Sequence, residues 1–174
     1  LKAGDEFQAP EVVMVYSAEG LGEMTRSYHA FYRRHMIRSP YNHKKRPILI
    51  NNWEATYFDF NEEKILKIAE QAQKLGIEML VLDDGWFGKR EDDNSGLGDW
   101  FVNEKKMNGS MAQLAEKIHR MGMKFGLWFE PEMISEDSDL YRAHPDWAFA
   151  IPGRVPNHSR NQLVLDLSLI HISE

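Results

Sequence analysis

The chain has 174 residues, with 21 Lys and Arg against 27 Asp and Glu, a formal net charge of −6 and no cysteine. An apolar share of 43% with 28% charged residues excludes wholesale disorder, and at this length a fold buries roughly 70% of its unfolded surface. The missing cysteines exclude disulfide and thiolate-metal frameworks and permit a cytoplasmic location; the acidic balance argues against nucleic acid; no apolar run reaches the ~18 residues of a membrane span.

The first residues, LKAGD, form neither an initiator nor a signal peptide and read as the interior of a longer chain. Residues 10–17 (PEVVMVYS) are apolar, β-branched and bounded by Pro10 and Gly20, which predicts a strand. Residues 21–37 follow helical spacing through Leu21, Met24, Tyr28, Phe31, Tyr32 and His35, and Pro40 ends the pattern. Residues 39–47 (SPYNHKKRP) have linker composition, and the basic stretch from Arg33 to Arg46 reads as a solvated face. A domain boundary is expected here.

From Pro47 the grammar changes. Three continuous apolar runs recur: Ile48 to Ile50, Met79 to Leu82 and Phe125 to Phe129. Runs without alternation suit strands buried on both faces, as in parallel sheets. Two amphipathic helices lie between them. One spans about 61–75, with Ile65, Ile68, Ala69, Ala72 and Leu75 in its stripe, Asn61 or Asp59 as cap and Gly76 at the left-handed end. The other spans about 110–121, with Met111, Leu114, Ala115, Ile118 and Met121, a Ser110–Gln113 capping box and a Gly122 stop. This β-α-β-α-β order predicts a parallel α/β fold. No GxGxxG motif follows a strand, so a dinucleotide-binding sheet loses ground to a (β/α)₈ barrel. A barrel needs ~250 residues, and the stretch after Pro47 is roughly half of that.

Both architectures bind ligands at the carboxyl ends of their strands. Here the strand ends read Asn51-Asn52-Trp53-Glu54, Asp83-Asp84-Gly85-Trp86-Phe87 and, after Trp128, Glu130-Pro131-Glu132. Acids and indoles gathered at one mouth suit a sugar, because carboxylates accept hydrogen bonds from hydroxyls and flat rings pack on the C–H face of a pyranose. Other readings stand beside this one. Asp83 and Asp84 can cap a turn or hold magnesium, the tryptophans can be core, and Glu130 or Glu132 can sit in a structural ion pair. His119 reads as a surface residue of its helix. The long polar stretch 88–109 is expected over the mouth, anchored by Trp100 and Phe101; its acids lack the spacing of a calcium loop. On the residues alone, Asp84 and Glu132 form the catalytic pair.

The strings PILINNWEATYFDF, LVLDDGWFGKR, GDWFVNEKK, KFGLWFEPEMIS and SRNQLVLD together resemble bacterial α-galactosidase (melibiase) of glycoside hydrolase family 36. The resemblance runs from about Arg46 to Asp166 and more weakly back to Val12. It implies a retaining, cofactor-free glycosidase that releases terminal α-galactose from melibiose and raffinose. It also implies a homo-oligomeric parent with no nucleic-acid or membrane partner. The implied fold is the first three strands or so of a (β/α)₈ barrel at 47–166, preceded by the end of an N-terminal β-sandwich at 1–20 and a connecting helix and linker at 21–46. Asp83 and Asp84 match the family pair that holds the 4- and 6-hydroxyls of galactose. Trp53 and Trp128 match pocket-wall tryptophans, and Arg160 a substrate-site arginine.

The family's nucleophile lies in a KWDMN-like motif and its acid/base further on, and neither is in this sequence. The resemblance therefore makes Asp84 and Glu132 binding or supporting groups rather than a catalytic pair, and implies an inactive fragment without metal. A non-catalytic sugar-binding module, an α-N-acetylgalactosaminidase or a raffinose-synthase-like transferase are the alternatives. The final octamer 167–174 (LSLIHISE) resembles a translated sequencing adapter, so His171 is no catalytic candidate.

Overall fold

In the computed structural model, which describes residues 2–156 and 159–169, the chain divides into two units, Leu1–Arg46 and Pro47–Glu174. In the first unit, helix α1 (Leu21–Phe31) continues into a π-helical turn, Tyr32–Met36, as the residue spacing predicts. The strand expected over 10–17 is not formed. The segment is extended, but among the described residues nothing pairs with it, and Val12, Met14 and Tyr16 are exposed. A strand is completed by a neighbour's backbone groups. The Tyr28 hydroxyl donates to the Val13 carbonyl at 3.3 Å.

The second unit carries β1 (Leu49–Asn51), a short helix α2 (Trp53–Thr56), α3 (Glu62–Lys74), β2 (Met79–Leu82), α4 (Glu104–Met107), α5 (Met111–Arg120) and β3 (Lys124–Leu127). Then come β4 (Met133–Ile134), α6 (Asp139–Ala143) and β5 (Leu163–Val164). Strands β1, β2 and β3 form a parallel sheet in that order, with Asn51 opposite Val81 and Leu82 opposite Leu127. The chain is an α/β protein. Strand β5 runs antiparallel to β4, outside the parallel sheet.

Local sequence explains the helices. Asn61 caps α3 by accepting the Lys64 N–H at 2.9 Å, and Gly76 takes φ +80° after its end. Ser110 and Gln113 cap α5 reciprocally. The stripes of the two helices, Ile65, Ala69 and Ala72 with Leu114 and Ile118, bury against Leu80 and Leu82. Truncating one such side chain, as in Leu114→Ala, costs about 2–5 kcal/mol. Lys117 joins the helices by its 2.6 Å ion pair with the buried Glu62.

Continuous apolar strands predict burial on both faces, and this sheet is covered on one. Leu80 and Leu82 are fully buried, whereas Met79 and Val81 remain partly exposed. Gly126 belongs to that open face: a Cβ there would lie 2.7 Å from the Met79 methyl carbon. The side chains of β2 therefore lie over β3 at this point, and a larger residue at Gly126 would require the Met79 side chain to move. Among the described residues, no helix is long and apolar enough to cross a membrane.

Candidate functional site

Strand alternation sorts the polar residues that follow the sheet. Counting from the register, Asn51 lies on the open face and Asp83 and Trp128 continue it, while Asp84 continues the covered set; Trp53 opens helix α2. Their burial agrees, since Asp83 is half-buried and Asp84 is only 3% exposed. The two aspartates therefore need different partners.

Asp83 is held by the first strand's end. The Asn51 amide donates to Asp83 Oδ2 at 2.5 Å, and the Asp83 N–H donates to Asn52 Oδ1 at 2.8 Å. Asn51 Oδ1 also accepts the Trp53 N–H at 2.7 Å, so one asparagine fixes both a carboxylate and an indole-bearing turn. Asp84 is held from below. Arg90, fully buried, donates from Nε to Oδ1 at 2.8 Å and from Nη2 to Oδ2 at 2.7 Å. A buried carboxylate is tolerable only with such compensation. Lys106 braces the same turn by donating to the carbonyls of Phe58, Gly85 and Arg90 at 3.0, 3.2 and 3.4 Å. Burial holds the Lys106 ammonium below the usual lysine range, against the pull of Glu91, Asp84 and Asp59.

A cleft of about 290 Å³ opens over these groups. It is lined by Trp53, Asp83, Asp84, Trp128, Phe129, Glu130, Glu132 and Arg160, so all five residues singled out from the sequence meet there. Glu132, exposed, shares the cleft. Glu130 is partnered structurally: its Oε1 accepts from Gln162 Nε2 at 3.0 Å and lies 4.0 Å from Arg160 Nη1. Arg160 and Asn161 both adopt left-handed backbone, at φ 58° and 57°, which is uncommon for residues with a Cβ. Asn161 is tied to Asn94 at 2.7 Å. Among the described residues, no three His, Asp or Glu side chains gather as a metal site.

Two expectations need correction. Trp86, the third strand-end indole, does not face the cleft; it is 3% exposed and packs in the core. Its N–H donates to the Trp128 carbonyl at 3.0 Å, so it supports a wall residue instead of forming one. In the polar stretch 88–109, Trp100 packs against Trp86, Phe87, Trp128 and Phe129, but the Phe101 side chain is 54% exposed. The stretch is not a loose flap. Its ends are joined by hydrogen bonds from Gly88 N to Phe101 O and from Asn103 N to Trp86 O, and Leu97 and Asp99 are buried.

Sequence reasoning gave no role to Asn51, Asn52, Arg90 or Lys106. Asn51 and Asn52 had a signal in their position at the end of a strand. Arg90 and Lys106 had none, because each is one charge among many in the polar stretch 88–109 and nothing local marks which of them is partnered.

The sequence model of the melibiase family matches residues 6–174. The chain belongs to the melibiase family. It is 60% identical over 168 residues to the bifunctional alpha-galactosidase/sucrose kinase AgaSK of Mediterraneibacter gnavus, covering 97% of this chain and 18% of that protein. It is 56% identical over 168 residues to alpha-galactosidase AgaA of Geobacillus stearothermophilus, covering 97% of this chain and 23% of that protein. The crystal structure of AgaA superposes with a TM-score of 0.90 at 55% identity, covering 99% of this chain and 24% of that one. A variant of AgaA has been solved in complex with raffinose; it matches with a TM-score of 0.85 at 54% identity, over 91% of this chain and 22% of that one. The chain thus spans about a fifth of the length of the curated relatives it matches.

Proposed function

We propose that this chain is a segment of a retaining α-galactosidase that hydrolyses terminal α-linked galactose from oligosaccharides such as melibiose and raffinose. The observation that carries the reading is the convergence of Asp83, Asp84, Trp53, Trp128 and Arg160 on one cleft at the carboxyl ends of β1, β2 and β3. The carboxylates keep acceptor capacity for sugar hydroxyls, the indoles supply apolar walls, and Arg160 supplies a donor. A site built to bond the axial 4-hydroxyl leaves a buried carboxylate unpaired when glucose enters, which is the physical basis of discrimination. The raffinose and stachyose complexes of AgaA variants support the substrate class.

The three parallel strands are the first of a (β/α)₈ barrel at 47–166, and their uncovered face, with Met79 and Val81, is its interior. Residues 1–20 are the end of a β-sandwich and 21–46 the connecting helix and linker. Residues 167–174 are a non-native tail; within it, 170–174 with His171 lie outside the described residues. The nucleophile and acid/base belong to other parts of the enzyme, so the chain alone does not hydrolyse and Asp84 and Glu132 are not a catalytic pair. The reading extends to a homo-oligomeric, cytoplasmic parent, in keeping with the acidic, cysteine-free composition.

The test is the full-length enzyme carrying this segment. It should release galactose from raffinose, with α-galactose as the first product seen by NMR. Initial β-galactose, or no release, would reject the proposal.

A further inference from the structure

We propose that Arg90 is a positioning residue for sugar recognition: its buried guanidinium fixes the Asp84 carboxylate so that Asp84 meets one substrate hydroxyl in a single orientation. This rests on the reading of Asp84 as a substrate-binding carboxylate.

Arg90 comes from a stretch of sequence, Lys89 to Asp93, that is charged throughout, yet it is 0% exposed. Two of its nitrogens form a fork on the two Asp84 oxygens at 2.8 and 2.7 Å, and a third, Nη1, donates to the Ser95 carbonyl at 2.8 Å. The guanidinium carbon lies 5.6 Å from the centre of the Phe58 ring. Gly96, at φ +83°, closes on the arginine so tightly that a Cβ there would lie 3.1 Å from Arg90 Cβ. Lys106 holds the Arg90 carbonyl and the Gly85 carbonyl together. The guanidinium is thus fixed by contacts that do not involve the substrate.

An ionised carboxylate offers about four acceptor positions, two on each oxygen. The fork uses one on each oxygen and stops the carboxylate from turning. Asp84 is among the residues that line the cleft, so the remaining positions are what it can offer a substrate hydroxyl there. Orientation set before binding removes an ordering cost at the moment of recognition. Fold stability alone gives no reason for this pair, since replacing a buried ion pair by apolar groups of similar volume is often neutral or stabilising. Asp83 has a separate support, Asn51, so losing Arg90 should disturb the hydroxyl held by Asp84 and spare the one held by Asp83.

The experiment uses the full-length enzyme and three substrates: nitrophenyl α-galactoside and its 4-deoxy and 6-deoxy analogues. Asp84→Asn identifies the analogue on which Asp84 no longer matters. Arg90→Met should lower kcat/KM on the galactoside by about ten-fold or more, the scale of a lost charge-assisted hydrogen bond. That penalty should vanish on the same analogue and persist on the other. Arg90→Lys, which keeps the charge without the fork, should show a smaller penalty with the same dependence. A penalty equal on all three substrates, no penalty, or failure of both variants to fold by circular dichroism overturns the proposal. An Asp84→Asn effect equal on all three substrates instead overturns the reading of Asp84.

Discussion

The side-chain amide of Asn51 donates to Asp83 across the β1–β2 boundary at 2.5 Å, so the end of one strand sets the carboxylate at the end of the next. Because Asn51 also accepts the Trp53 N–H, its loss should loosen two walls of the cleft together. In the full-length enzyme, Asn51→Ala is expected to raise KM for a nitrophenyl α-galactoside by about ten-fold, on the scale of one hydrogen bond to a charged group. Steady-state kinetics measures it; an unchanged KM would show that Asp83 keeps its place without Asn51.

The Asp84–Arg90 pair makes a prediction about stability. Asp84→Ala leaves a buried guanidinium without its counter-charge, which costs about 3–5 kcal/mol. Removing both charges, as Asp84→Ala with Arg90→Met, should cost less than the two single changes added, because each single variant strands a partner. Urea unfolding of the three variants decides it, and strict additivity would contradict the coupling.

Lys106 gives a pH dependence whose sign follows from its environment. Burial lowers its folded-state value below the ordinary 10.5, so the folded chain gives up the proton before the unfolded chain does. Between the lowered value and 10.5, unfolding takes up a proton, and the Lys106 contribution to stability therefore rises with pH across that window. The difference in unfolding free energy between wild type and Lys106→Met should grow from neutral pH toward pH 10.5. A constant or shrinking difference in urea titrations would refute it.

By itself, the chain should fold marginally and associate. Strands β1 and β3 each leave an edge unpaired among the described residues, and Val12, Met14 and Tyr16 are 78%, 87% and 91% exposed. Open edges and exposed apolar residues invite pairing between chains. The expected outcome is aggregation or a broad melt in circular dichroism combined with light scattering. A monomer with a cooperative midpoint above about 50 °C, in the range of ordinary domains, would count against this expectation.

What the sequence settled alone was whatever repeats with a local period or sits at a fixed offset. The α3 stripe apart from Leu75, which is 82% exposed, the α5 stripe, the Asn61 cap, the Ser110–Gln113 box and the apolar runs of β1, β2 and β3 are each decided by residues a few positions apart. Asp83, Asp84, Trp53 and Trp128, which the sequence places just after its apolar runs, line one cleft together with Arg160. Tertiary structure decided which groups receive a partner. Arg90 and Lys106 look like surface charges until the fold folds the 88–109 stretch back under the Asp84 turn. Trp86 looks like a wall residue until its ring enters the core, and residues 10–17 look like a strand although no backbone among the described residues pairs with them. Hydrogen-bond satisfaction and burial depend on what arrives from distant parts of the chain, and no local period carries that information.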